Sequence, residues 1–111
     1  MKKIDYCTKN FTKIDSINSR NGVALKECNG LEIKVKALAT GIDEDENGEV
    51  KSVGVIVTPE AEYFTTISGS SIDVITEAIE LVDEGADLTF RVSMRKSSKG
   101  RDFITLTAIV R

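Results

Sequence analysis

Histidine and tryptophan are absent from this chain of 111 residues, and proline occurs once. Without imidazole, most general acid–base and nucleophile-activating arrangements are closed, because that group alone titrates near working pH unaided. Carboxylate, lysine or metal chemistry would need a convergent cluster, and none is legible along the chain, so no enzymatic activity is expected. The two cysteines, Cys7 and Cys28, are far apart and form no Cys-x-x-Cys pair. Two thiolates with no histidine do not make a zinc site, so no cofactor is expected and both thiols are read as reduced. Reduced thiols fit a cytoplasmic setting. Long apolar runs are also missing: none approaches the roughly 20 residues needed to cross a bilayer. Met1-Lys2-Lys3-Ile4-Asp5 leads into no apolar stretch, so no secretory leader is expected.

What is present is enough for one core. Hydrophobic residues make up 41% of the chain, largely Val, Ile and Leu, and the 30% that are charged alternate with them. A chain of this length supports a single domain, residues 1–111, since a second core would be too small to hold itself together. Residues 1–20 are weakly patterned, with Phe11, Ile14 and Ile17 set among Lys9, Lys13, Asp15 and Arg20, and read as an N-terminal strand or arm.

From Gly22 the pattern sharpens. Val23–Cys28 and Leu31–Thr40 flank Asn29-Gly30, a dipeptide suited to the positive φ angles of a tight hairpin turn. In the second run Leu31, Ile33, Val35 and Ala37 alternate with Glu32, Lys34 and Lys36, the period of a strand with one buried face. An acidic loop follows, then a strand with Val53, Val55 and Val57 on one face, then the β-favouring run Tyr63–Ser68 beyond Pro59. A single amphipathic helix comes next, with Ile72, Ile75, Ile79 and Val82 as its stripe. Ser70 or Ser71 is the expected cap, Asp73 completes a capping box with Ser70, and Gly85 is the expected stop. Two strands close the chain: Leu88, Phe90, Val92 and Met94 alternate with Thr89, Arg91, Ser93 and Arg95, and Ile104, Leu106 and Ala108 with Phe103, Thr105 and Thr107. The order predicts a mostly β chain with one helix, suited to a small antiparallel barrel of the OB type. An α+β arrangement, an antiparallel sheet with one packed helix, fits the same string.

Charge is segregated behind a net value of −3. Residues 41–87 hold Lys51 as their one basic side chain, whereas residues 88–111 hold Arg91, Arg95, Lys96, Lys99, Arg101 and Arg111 against Asp102 alone. Binding of a polyanion follows the local potential of a patch and tolerates an acidic total. Strand parity puts Arg91, Arg95, Phe103 and several hydroxyls on one face, a mixture that can hold phosphates and stack a base. The plainer reading is a solubilising ribbon whose Arg and Lys block edge-to-edge pairing.

Two other stretches have a site-like look. Asp43-Glu44-Asp45-Glu46-Asn47-Gly48 matches the first half of a calcium-binding EF-hand loop, but its twelfth position, which needs a bidentate acid, is Gly54. An exposed turn uses the same residues. Thr65–Ser71 enters the helix with many hydroxyls, as an anion site does, yet lacks the spaced glycines and lysine of a phosphate loop. Capping chemistry accounts for it more simply.

The run Tyr63-Phe64-Thr65-Thr66-Ile67-Ser68, the acidic helix, and the turn Arg95-Lys96-Ser97-Ser98-Lys99-Gly100-Arg101-Asp102-Phe103 together resemble small bacteriophage single-stranded-DNA-binding proteins of the OB-fold kind. The resemblance covers about the C-terminal half. It implies non-catalytic, sequence-tolerant coating of single strands in phage replication or recombination, in the host cytoplasm, usually by an oligomer. On it, Arg91, Arg95, Lys96, Lys99, Arg101 and Phe103 line the strand, with Tyr63 or Phe64 as a second stacking platform. Many such proteins end in an acidic tail that recruits partners; this chain ends Ile109-Val110-Arg111, so that route is not expected. The alternative function is a protein–protein module, a phage inhibitor or virion component, in which Asp73, Glu77, Glu80 and Glu84 of the helix imitate nucleic acid toward a basic partner.

Overall fold

The computed structural model describes residues 2–110; Met1 and Arg111, the latter counted above among the basic residues, lie outside them. The elements run β1 (Lys2–Cys7), α1 (Lys13–Asn18), β2 (Val23–Ala24), β3 (Glu32–Lys34), β4 (Ala37–Glu44), β5 (Val50–Val57), β6 (Tyr63–Thr66), α2 (Gly69–Asp83), β7 (Leu88–Lys96) and β8 (Asp102–Val110). Short 3-10 turns occupy Ser19–Asn21 and Leu25–Glu27.

The strands form a mixed five-stranded sheet, ordered β1-β4-β5-β6-β2, and an antiparallel three-stranded sheet, ordered β3-β7-β8. The fold is therefore mixed α/β with two helices, and among the described residues no closed barrel forms. The reason lies in the run Leu31–Thr40, read from its alternation as one strand. It breaks at Val35–Lys36: the Val35 N–H donates to the Leu88 carbonyl at 2.9 Å, and the Lys36 N–H donates to the Val57 carbonyl at 2.7 Å. Adjacent amides thus join different sheets, and the chain steps from one to the other.

The hairpin expected at Asn29-Gly30 is also replaced. Val23–Ala24 pairs in parallel with Phe64–Thr65, and Leu25–Glu27 coils into a 3-10 turn. Gly30 takes a φ of 86° and donates its N–H to the Val92 carbonyl at 2.8 Å, while the Asn29 Oδ1 accepts from the Met94 N–H at 3.0 Å. The turn chemistry was legible, but the pair clasps β7.

The N-terminal segment read as a strand or arm is β1 followed by α1. Thr12 begins that helix with a full capping box: its Oγ1 accepts from the Asp15 N–H at 3.1 Å, and its own N–H donates to Asp15 Oδ2 at 3.0 Å. The same exchange satisfies two amides that a helix start leaves without partners. At α2 the expected capping box is absent. Ser68 is the cap residue and makes no side-chain cap bond; Gly85, at φ 94°, follows the last turn.

One core lies between the two sheets and α2. Leu38, Ile56 and Phe64 from the larger sheet meet Ile75, Ala78 and Ile79 from α2 and Ile33, Phe90, Val92, Ile104 and Leu106 from the smaller. Burying side chains of this kind is worth roughly 1.5–3 kcal/mol each, which is what fixes the sheets against the helix. Helix and sheet approach closely at Gly54, where a Cβ would come within 2.8 Å of Ile75 Cδ1 and 3.2 Å of Thr66 Cγ2. A second cluster, Ala37, Ala39, Val55 and Val57, packs with Ile4, Cys7, Phe11 and Tyr63. No helix among the described residues is long and apolar enough to cross a membrane.

Candidate nucleic-acid interface

The alternation that buries Ile33, Phe90, Val92, Ile104 and Leu106 turns their neighbours outward. Register then decides which outward side chains meet. Arg95 stands opposite Phe103, Ser93 opposite Thr105, and Arg91 opposite both Thr107 on β8 and Glu32 on β3. Directly opposed residues share a face of an antiparallel pair. The smaller sheet therefore presents Arg91, Arg95 and Phe103 on one surface, with Ser93, Thr105 and Thr107 between them. Phe103 is 36% exposed, a phenyl ring kept at the surface. Lys34, on the same face through β3, was absent from the sequence-based set. Its signal was its parity with Glu32, which had meaning only once β3 was seen to pair with β7.

The six basic and aromatic positions proposed from the ribbon do not all converge. Arg91 is engaged: its Nη2 donates to Glu32 Oε2 at 2.7 Å and its Nε to the same oxygen at 3.2 Å. The ion pair is exposed, so it contributes little stability, but the carboxylate competes with a phosphate for the guanidinium. Lys96 pairs in register with Asp102, one residue out of phase with Arg95 and Phe103, and so belongs to the opposite face. Lys99 and Arg101 stand at the exposed tip, in a turn closed by the Ser97 N–H on the Arg101 carbonyl at 2.8 Å and the Gly100 N–H on the Ser97 carbonyl at 2.9 Å. Among the described residues Arg95, Lys96, Lys99 and Arg101 have no ion-pair partner.

The second stacking platform is corrected. Phe64 is 7% exposed and belongs to the main core, so its ring is closed to a base. Tyr63 points to the other side of β6, where it packs against the second cluster, and its hydroxyl donates to Asp15 Oδ1 at 2.8 Å. Burial pushes the Asp15 carboxyl up, but hydrogen bonds from Thr12 and Tyr63, helped by the charge of Lys36, outweigh it and hold the group below the ordinary carboxylate value. Tyr63 is pulled down by the Asn18 amide, but Asp15 and burial prevail and leave the phenol above its usual value. Both side chains serve the fold. Cys28 is buried, with its thiol pushed up by burial and then by Glu27, so it is held protonated and unreactive.

The acidic and hydroxyl-rich stretches are used structurally. Asp45 Oδ1 accepts from the N–H groups of Asn47 and Glu49, both at 2.9 Å, which shapes the β4–β5 turn. Gly54 lies in β5 beneath α2, far from any role as a twelfth ligand. Among the described residues no group of three or more acidic or cysteine side chains could hold a metal. The Ser71 hydroxyl donates to the Ile104 carbonyl at 3.0 Å, and those of Ser68 and Ser70 to the same oxygen at 3.3 Å. These hydroxyls tie α2 to β8 and are committed there.

Beside β8 the two sheets leave an open cleft of about 580 Å³, walled by Leu25, Ile67, Met94, Phe103 and Ile104, with Lys26 and Asp102 also on its lining. It was not foreseen from the sequence, since it depends on how the sheets diverge.

Comparison with known proteins bears on the family of the chain. The family described as phage single-stranded DNA-binding protein, of the phi29 type, matches residues 6–108. The single-stranded DNA-binding protein of Bacillus phage B103 is 34% identical over 103 residues, which covers 87% of this chain and 84% of that protein. No solved structure matches.

Proposed function

The chain belongs to the family of phage single-stranded DNA-binding proteins, and from that premise we propose that it coats single strands without sequence preference, holding them on the outer face of β7 and β8. The observation that carries the proposal is the pairing of Arg95 with Phe103 on an exposed face. Arg95 takes a phosphate, Phe103 stacks a base, and Lys99 and Arg101 at the tip extend the cationic track. Stacking on a ring reads no donor–acceptor pattern, because every base has a π face, which accounts for tolerance of sequence. The protein is non-catalytic. Its work lies in replication or recombination of phage DNA in the host cytoplasm.

The net charge of −3 weakens long-range attraction, so binding rests on local contacts and is sensitive to salt. Fluorescence anisotropy with labelled single- and double-stranded oligonucleotides at two salt concentrations tests the reading. Binding of the single strand, weaker binding of the duplex and loss at the higher salt are expected; no binding of the single strand at low salt would refute it.

A second, protein-binding surface is supported by the exposed acidic face of α2, where Asp73, Glu77, Glu80 and Glu84 all lie in solvent. It would face a basic partner. Reversing Glu77 and Glu80 to lysine is expected to abolish capture of that partner while oligonucleotide affinity is retained or improved.

A further inference from the structure

We infer that the cleft beside β8 is a seat for one nucleobase of the bound strand, a subsite beyond the outer face of the ribbon. This rests on the reading that the chain holds single-stranded DNA.

Three observations converge on that occupant. The cleft is mainly apolar and open at the surface, and its volume of about 580 Å³ lies within the roughly 300–1,000 Å³ typical of small-ligand sites. Its wall includes Ile67, an isoleucine left 67% exposed. Met94 beside it supplies a polarisable thioether that adapts to flat rings.

The second observation concerns polarity. Among the hydroxyls on the lining, that of Ser68 already donates to the Ile104 carbonyl, and that of Thr66 accepts from the Ser68 N–H. Asp102 adds a negative charge to the lining. With Lys26 opposing Asp102 on the lining, charge does not select the occupant; the apolar walls favour a base, and the Asp102 carboxylate can accept from a base N–H, the N3–H of thymine included.

Third, the cleft is continuous with the ribbon. Phe103 both opposes Arg95 on the outer face and forms part of the cleft wall. A strand stacked on that ring and running over the edge of β8 meets the cleft within its next nucleotides, and Lys26 on the lining receives the following phosphate.

The absence of tryptophan from the chain gives a clean test. In the full-length protein, Ile67→Trp places a single indole at the cleft, at a position exposed enough to accept it. Ile14→Trp, at an equally exposed site on α1, serves as the remote reporter. Each is titrated with a thymidine oligonucleotide, with anisotropy and indole emission read together. Quenching in Ile67→Trp and none in Ile14→Trp is expected, with the quench lost on an abasic strand. Ile67→Ser is expected to weaken binding about fivefold or more, the low end of what one base contact contributes. If the oligonucleotide binds yet the Ile67→Trp emission does not change and Ile67→Ser binds like the parent, the cleft is empty and the inference fails alone. If no variant and no parent protein binds, the DNA-binding reading fails and takes the inference with it.

Discussion

Arg95 and Phe103 stand directly opposite each other on β7 and β8, a guanidinium and a phenyl ring on one exposed face of an antiparallel pair. The two contribute differently to binding, and their variants separate those contributions. Phe103→Ala is expected to cost about 1–3 kcal/mol of affinity for a single-stranded oligonucleotide while leaving the salt dependence unchanged. Arg95→Ala is expected to lower the slope of log affinity against log salt by about 0.7, the amount for one phosphate contact on a single strand. Titrations at four salt concentrations distinguish the two.

Arg91 is spent on Glu32, so Arg91→Ala should weaken binding less than Arg95→Ala does. Glu32→Gln releases the guanidinium and removes a competing carboxylate. It is expected to tighten binding at low salt by about 0.5 kcal/mol, within the range measured for exposed ion pairs.

Phe64→Ala and Phe103→Ala should fail in different assays. Phe64 fills the core between the sheets, and its truncation is expected to cost about 3–5 kcal/mol of stability, seen as a fall in the urea midpoint. Phe103→Ala is expected to leave that midpoint close to the parent's. An unaltered midpoint for Phe64→Ala would contradict the packing described.

Acid should loosen the N-terminal helix first. Asp15 is held below the ordinary carboxylate value, so the folded state favours its charged form. Its contribution is then fully present above the unfolded value of about 3.9 and is lost as pH falls through the lower folded value. Tyr63→Phe removes one donor to that carboxylate and is expected to cost about 1–2 kcal/mol at neutral pH. The parent and variant should converge in stability as pH drops below 4; urea unfolding at pH 7 and pH 3 checks this.

The sequence carried the ribbon well, because β7 and β8 are long, strictly alternating and joined by a short turn. From the period of two alone, Arg91, Arg95 and Phe103 share a face, as the register shows. It carried the middle poorly. The period of two through Leu31–Thr40 is real, but alternation cannot say which partner each half will meet, and the two halves pair with different sheets. Asn29-Gly30 has the chemistry of a turn and makes one, but its outward bonds go to β7. Tyr63 or Phe64 was expected to stack a base only because the resemblance implied it, and here both sides of β6 are covered. The capping box Thr12–Asp15 was in the sequence and marks α1; its short helix was hidden by weak apolar patterning, with Ile14 and Ile17 both exposed.

Rows of free amides and carbonyls along a β margin invite another molecule to add itself, and a DNA-coating protein works at high local density on one thread. At Ile104 that invitation is withdrawn: three hydroxyls from the start of α2 crowd the carbonyl an incoming strand would need. A strand adding itself along this margin would find that acceptor already taken, so pairing through this stretch of β8 is disfavoured.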